Sequence, residues 1–411
     1  MIERLQVCGF KSLSDVDVRL PRLTVLFGAN AAGKSNLLDA VQALSRIGTH
    51  RTLSEALAEP IRGHPVEFFH FPSGGLAALL EGDPPRFTLG ADLRCESQLI
   101  RYRISVQVTP MSGALAVADE YLAVLNESHK PKGHPAIEQI DGRLRMRRKS
   151  ESGKPRYEPL LLNYSLLSDP RHGGKLYPAV EAARRELSGW HTYFLDPRIA
   201  MRLAQPPSDV RDIGVHGADL APFLFRLRAE HPKRFAAVTR TLKSLVPSVE
   251  SLEVELDRRR GTLDVAIRQD GTDYSSRIAS EGTLRVLALC AVAVNPWSGS
   301  LLAFEEPENG VHPRRIQLIA KLLLSLALEN QRQVIVTTHS PLFCDAVLRG
   351  AGSHVDEVGL YHVRREGGSS AVVPFEGGGP LFREREVEQA LTSPEEDRLF
   401  ENLLMRGLFG D

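Results

Sequence analysis

The sequence predicts an α/β fold: a parallel sheet, an antiparallel β-subdomain and an inserted helical lobe. Three observations carry that expectation. Leu23–Phe27 is a continuous apolar run, of the kind buried on both faces of a parallel sheet, and it enters a glycine-containing loop and then a helical pattern at Leu37, Leu38, Val41 and Leu44. Ser300–Phe304 and Gln333–Thr338 are two more such runs, each followed by chemistry-bearing residues. Residues 86–125 alternate instead, as antiparallel strands do, over Phe87–Leu93, Leu99–Val108 and Tyr121–Leu125. With 411 residues, 42% of them hydrophobic and 25% charged, the chain has length for two to three domains and is neither disordered nor fibrous in composition. No run approaches the ~18 consecutive apolar residues of a membrane-spanning helix. The opening MIERLQVCGFKSL has no apolar secretion core, so a cytoplasmic protein is expected. Cys8, Cys95, Cys290 and Cys344 form no CxxC pair, which argues against a zinc site or a disulfide framework. The 51 Lys+Arg balance 51 Asp+Glu, which excludes nucleic-acid binding through bulk charge and leaves open a local basic face.

The loop after Leu23–Phe27 reads Gly28-Ala29-Asn30-Ala31-Ala32-Gly33-Lys34-Ser35-Asn36, the full GxxxxGK[ST] phosphate-binding pattern between a strand and a helix. Its residue types follow from the task. Gly28 and Gly33 permit backbone angles that aim consecutive N–H groups at phosphates. The helix starting near Lys34 adds its positive end, Lys34 supplies a cation, and the Ser35 hydroxyl is a ligand for Mg²⁺. An ATP-binding site with Lys34 as a catalytic residue is therefore expected.

Ser300–Phe304 runs into Glu305-Glu306-Pro307-Glu308-Asn309. A carboxylate at the end of a buried strand can hold magnesium and the next can activate water, so Glu305 is assigned to the metal and Glu306 to general-base catalysis. Ser280 precedes a helical pattern at Val286, Leu287, Leu289 and Val292 and is expected to cap it, leaving a helix N-terminus for an anion. Gln333–Thr338 ends in His339-Ser340-Pro341, where Ser340 as cap and Pro341 at the first helical position mark a strand-to-helix switch. His339 follows Glu306 by 33 residues, room for one helix and one strand, which puts it beside the acidic strand.

This order of motifs resembles the ABC-type ATPase heads of the SMC and RecF group of P-loop NTPases. Phe10-Lys11-Ser12-Leu13, GANAAGKSN, ASEGTLRVLAL, FEEPENGVHP and TTHSP are most similar to the ATPase half of OLD-family proteins and their stand-alone relatives. The resemblance covers about residues 1–45 and 270–345. It implies that Ser280, Glu281 and Gly282 form the signature segment that meets ATP across a dimer, that His339 is the switch histidine, and that Asn309 lies in the loop crossing the interface. It also implies a head-to-tail homodimer around ATP. Glu305 stands where most P-loop proteins have Asp, and Glu281 and Thr283 depart from the common signature. The 270 residues between Ser35 and Glu305 suit a head with a long insertion, and not the ring-forming AAA+ class, which keeps these motifs close.

Four parts are expected: residues 1–125 as the first part of the ATPase lobe, 126–269 as an inserted β-hairpin and helical lobe, 270–375 as the second part of the ATPase lobe, and 376–411 as a tail helix. Ala136–Arg148 reads as a hairpin turning at Asp141-Gly142. Arg143–Arg156 carries seven bases and one acid, and Arg258–Arg260 is a second basic turn between Leu252–Leu256 and Leu263–Ile267, so DNA is a possible partner through either. Helical patterns at Tyr177–Leu187, Asp219–Ala229 and Lys233–Leu245 sustain no long coiled coil. Asp196-Pro197-Arg198 follows an apolar strand at Thr192–Leu195 and brings Arg198 toward the nucleotide; Gln98 and Gln107 are alternative candidates for a metal-contacting glutamine. No Asp-x-Asp pair follows His339, so no nuclease centre is expected there. In the tail, Ser393-Pro394-Glu395-Glu396 reads as a capping box, and Leu399, Phe400, Leu403, Leu404 and Leu408 form an apolar stripe for this head or a partner. The leading expectation is a Mg²⁺-dependent ATPase that gates a separately encoded effector in a defence or toxin-like system. The alternatives are a RecF-like DNA-binding ATPase in repair or chromosome maintenance, and a nucleotide-binding scaffold with little hydrolysis.

Overall fold

Continuous apolar runs become parallel strands and alternating runs become an antiparallel sheet in the computed structural model, which describes residues 1–71, 75, 78–79, 83–96, 98–109, 112–149 and 155–375. The expected tail helix at 376–411 and positions 150–154 of the basic stretch lie outside the described residues. The chain divides into two compact units: Met1–Pro21, Gly28–Trp190 and Tyr361–Pro374 make the first, and Arg22–Phe27, His191–Leu360 and Phe375–Asp411 the second.

In the first unit, β1 (Ile2–Phe10) and β2 (Leu13–Arg19) form a hairpin; the next strand, β3 (Leu23–Phe27), belongs to the second unit. Then follow β4 (Arg86–Cys95), β5 (Gln98–Thr109), β6 (Ala114–Leu125), β7 (Ile137–Ile140), β8 (Arg143–Met146) and β9 (Arg156–Pro159). These strands make one antiparallel sheet in the order β2-β1-β4-β5-β6-β7-β8-β9. β6 begins seven residues before the expected Tyr121, because a bulge at Ser105/Val106 lets it keep pairing with β5. Asp141 and Gly142 both take positive φ, 48° and 72°, as the two-residue turn between β7 and β8 requires. α1 (Lys34–Ile47), the short α2 (Leu53–Ala56) and α3 (Pro178–Ser188) complete the unit, α1 and α3 being tied by Ser45 Oγ donating to Leu187 O at 2.7 Å. The aromatic core is dense: Phe87 meets Phe10 edge-on at 5.2 Å and Phe69 at 5.1 Å. Glu120 is fully buried and accepts from Leu166 N, Leu167 N and Tyr102 Oη. Burial outweighs those hydrogen bonds and pushes its carboxyl up to about 7.

The second unit contains β10 (Trp190–Tyr193) from His191 on, followed by α4 (Leu220–Glu230) and α5 (Pro232–Leu245). The antiparallel β11 (Val249–Asp257), β12 (Thr262–Gln269) and β13 (Thr272–Ser275) follow, then α6 (Glu281–Ala293). β14 (Leu301–Glu305), α7 (Pro313–Leu328), β15 (Gln333–Thr338) and α8 (Pro341–Ala351) end the unit's regular structure before β16. β14, β15 and β3 run parallel in the order β10-β14-β15-β3. All six residues of β15 are buried, including Thr337 and Thr338, as expected for a strand covered on both faces. β10 lies two residues earlier than the Thr192–Leu195 the sequence suggests. Phe194 N and Asp196 N donate to Val215 O and His216 O in a neighbouring loop.

The sequence reading passed over β16 (Val358–Glu366) and β17 (Ser369–Pro374), an antiparallel hairpin whose Tyr361–Pro374 portion belongs to the first unit.

Candidate active site

The first unit holds the phosphate loop. Gly28 and Gly33 have φ of 150° and 104°, and Ala31 between them sits at 62°. A Cβ on Gly28 would lie 2.2 Å from Val363 O, and one on Gly33 would lie 2.1 Å from Ser370 Oγ, so both glycines are required by contact as well as by φ. Gly33 is the N-cap of α1, which opens at Lys34 as expected. Lys34 is 5% exposed, and its Nζ donates to Gly28 O and Ala29 O, both at 2.8 Å, folded over the loop. Among the described residues, the N–H groups of Asn30, Ala31 and Gly33 find no acceptor. Such a cradle of donors, helix start and buried lysine fits a polyphosphate.

Ser370 was missed by sequence reasoning. Its Oγ donates to Ala32 O at 2.6 Å and lies 2.7 Å from Ser12 Oγ, while its N donates to Ser12 O at 2.7 Å. Asn36 Nδ2 donates to the same Ser12 Oγ at 2.7 Å. The β16–β17 hairpin thus braces the loop from behind, through a serine more than 330 residues away with no motif around it. Lys11 lies at φ 50° in the β1–β2 turn and donates to the buried Asp39 and to Arg62 O, both at 2.6 Å. Burial lowers the Lys11 pKa, although Asp39 works the other way.

The second unit carries the acidic and signature motifs. Glu305 closes β14, paired with Thr337, and Glu306 follows at φ 44°, its N–H donating to Thr337 O at 3.0 Å. The Glu306 carboxylate is gripped on both oxygens: His339 Nδ1 is 2.9 Å from Oε1, and Asn309 Nδ2 donates to Oε2. Sequence spacing placed His339 beside Glu306; it did not foresee that Asn309 would be the second hydrogen-bond donor. Glu308 is 4% exposed; burial raises its carboxyl pKa, against a hydrogen bond from Thr338 Oγ1.

Ser280 caps α6 as expected, its Oγ accepting from Thr283 N at 3.1 Å. Gly282 approaches the loop after Glu306 so closely that a Cβ would lie 2.4 Å from Gly310 O. Glu281 accepts from Arg198 Nε at 3.0 Å, and Arg202 donates to Arg277 O and Ala279 O. Arg198 therefore joins the signature segment, held there by the Asp196 turn, whose Oδ1 accepts from Arg198 N at 3.0 Å. Gln98 and Gln107 lie at opposite ends of β5 in the first unit, paired with Cys95 and Arg86. Among the described residues no three His, Cys, Asp or Glu side chains converge as a protein metal cage would need. A magnesium ion held mainly by phosphates and water needs only one or two protein oxygens, and the Ser35 hydroxyl in the first turn of α1 is one such donor.

The basic stretches differ. Arg145 and Arg147 both donate to Glu138, at 2.6 and 3.2 Å, whereas Arg258–Arg260 are exposed at the β11–β12 turn. No helix among the described residues is long and apolar enough to cross a membrane.

Comparison with known proteins agrees with this arrangement. The solved SMC head bound to the C-winged helix domain of ScpA is 16% identical, with a TM-score of 0.53 over 91% of this chain and 98% of that one; the likeness concerns the fold. Short segments match the DNA replication and repair protein RecF: 39% identity over 56 residues in Paenarthrobacter aurescens (strain TC1) and 41% over 56 residues in Arthrobacter sp. (strain FB24). Each match covers 13% of this chain and 14% of the relative, so the chain matches only about a seventh of those proteins' length. Residues 23–345 match the family described as "AAA domain, putative AbiEii toxin, Type IV TA system". The chain belongs to that family.

Proposed function

We propose that the protein binds and hydrolyses ATP with Mg²⁺ in the cytoplasm, forms a head-to-tail homodimer around the nucleotide, and so gates a separately encoded effector. The observation that carries this reading is the Glu306 carboxylate held between His339 and Asn309 at the end of a buried parallel strand. Lys34 and the N–H groups of Asn30, Ala31 and Gly33 bind the phosphates. Glu306 accepts a proton from the attacking water, and His339 and Asn309 keep its oxygens aimed. Magnesium, when bound, neutralises phosphate charge, with Ser35 and Glu305 as its protein ligands. Ser280, Glu281 and Gly282 meet the nucleotide of the second chain. The family's toxin–antitoxin description supports an effector system, and the SMC head's complex with ScpA supports a partner protein.

The test is Glu306→Gln in the full chain. ATP with Mg²⁺ is expected to raise the dimer fraction of this variant in sedimentation velocity; a monomer at saturating ATP rejects the sandwich. A wild type that binds ATP and releases no phosphate points to a scaffold instead. The exposed Arg258–Arg260 turn favours a second, RecF-like reading in which the chain itself contacts DNA. That reading requires DNA-stimulated hydrolysis that disappears when the three arginines become alanine.

A further inference from the structure

A cavity of about 530 Å³ opens in the first unit between the end of β8 and the N-terminus of α3. Among the described residues its charged lining is basic: Arg147, Arg148 and Lys149, with His134 beside them and Tyr177 and Val180 as an apolar wall. The basic segment is fixed by its backbone, since Arg147 N donates to Ala136 O at 2.9 Å and Lys149 N to Leu176 O at 3.0 Å. Arg148 Nε donates to Tyr177 Oη at 3.2 Å, which sets the guanidinium plane and leaves its terminal nitrogens unbonded among the described residues. Arg147 shares the single Glu138 carboxylate with Arg145, so that group of three keeps one positive charge. Burial opposes ionisation of Glu138, yet the two arginines outweigh it and hold its carboxyl below the usual range. Lys149 and His134 have no ion-pair partner among the described residues.

α3 contributes from the other side. Pro178 fills its first helical position and no side chain caps it, so the positive end of an 11-residue helix faces the cavity at Ala179 and Val180. Cations and helix end therefore converge on one volume, within the ~300–1,000 Å³ range of small-molecule sites. Of the other arginines of the stretch, Arg145 and Arg156 are paired with Glu138 and Glu158, while Arg143 is exposed at the turn of the hairpin.

We propose that this cavity binds a small phosphorylated molecule of about mononucleotide size, at a site separate from the phosphate loop. The phosphate takes the Arg148, Lys149 and helix-end donors, and the remainder of the ligand lies against Tyr177 and Val180. The site stands independently of the ATPase reading above.

The test uses the full chain carrying Lys34→Ala, which removes phosphate-loop binding, titrated calorimetrically with inorganic pyrophosphate and with AMP. One site per chain is expected, weakened at least ~10-fold by adding Arg148→Gln and Lys149→Gln. Tyr177→Phe, which removes only the hydroxyl that positions Arg148, is expected to cost about 3-fold and guards against a folding artefact. No binding by Lys34→Ala, or binding that the two glutamines leave unchanged, overturns the proposal. So does a 20-base-pair duplex that binds more tightly than either probe and displaces it, which would make the cavity a nucleic-acid contact.

Discussion

The phosphate loop and the end of the acidic strand both hold a left-handed backbone residue still, by different means. At the loop the constraint is steric: Gly28 and Gly33 lie against Val363 O and Ser370 Oγ with no room for a methyl group. At the strand end Glu306 is a non-glycine residue at φ 44°, a conformation that costs ~1–2 kcal/mol, and its side chain is held by His339 and Asn309. A sterically fixed loop can bind before any chemistry begins. A carboxylate fixed by polar partners can exchange them, which suits the general base proposed for it.

Substitutions sharpen this contrast. Gly33→Ala is expected to weaken nucleotide binding more than ~100-fold in a fluorescent-nucleotide titration, because it meets both φ 104° and the Ser370 hydroxyl. Adding Ser370→Gly relieves only the nearest contact, since Ser12 Oγ would still lie 2.7 Å from the new Cβ, so only part of the affinity returns; complete recovery would remove φ from the argument. Glu306→Gln is expected to slow phosphate release ~10³-fold while changing nucleotide affinity less than about 3-fold. Equal losses in both would make Glu306 a binding residue. His339→Ala and Asn309→Ala are each expected to lower kcat by ~10- to 50-fold. The double variant is expected to be little worse than the stronger single one, since both act on one carboxylate. Additive losses would mean separate roles.

Ser370→Ala leaves the loop glycines in place and removes one brace, so about a 5-fold loss of nucleotide affinity at unchanged kcat is expected. Smallest is an effect far from both motifs. Glu120 has its folded pKa raised to about 7 from the usual 4.5, so its contribution to stability is complete below about pH 4.5 and is lost as pH rises through 7. Thermal melts of Glu120→Gln between pH 5 and 8 are expected to lose that downward slope. An unchanged slope would assign it to other groups.

Both glycines of the loop, the lysine and the first helical turn were legible because a steric demand selects residue types within eight positions. The parallel strands were legible because burial on two faces leaves an apolar run at Leu23–Phe27, where β3 falls, and a β-branched run at Gln333–Thr338, where β15 falls. The Ser280 and Ser340 caps were legible because a cap bonds within three residues of itself. Less was legible where polar partners lie far apart in sequence. Ser370 on the phosphate loop and Arg198 on Glu281 carry no local signature. In the Arg143–Arg156 stretch, composition counts charges and does not show that Arg145 and Arg147 share Glu138 and that Arg156 pairs with Glu158.

By itself, then, the sequence determined that the chain has a phosphate loop, an acidic strand, a capped signature helix and a strand-end histidine, since each is written in neighbouring residues. Tertiary structure alone decided what surrounds them: a late hairpin behind the loop, a carboxylate gripped on both oxygens, and a basic segment folded around a cavity. The physical reason is range. Backbone angles and caps are set by the next few residues, whereas hydrogen bonds and ion pairs between side chains depend on which distant segments the hydrophobic core brings together.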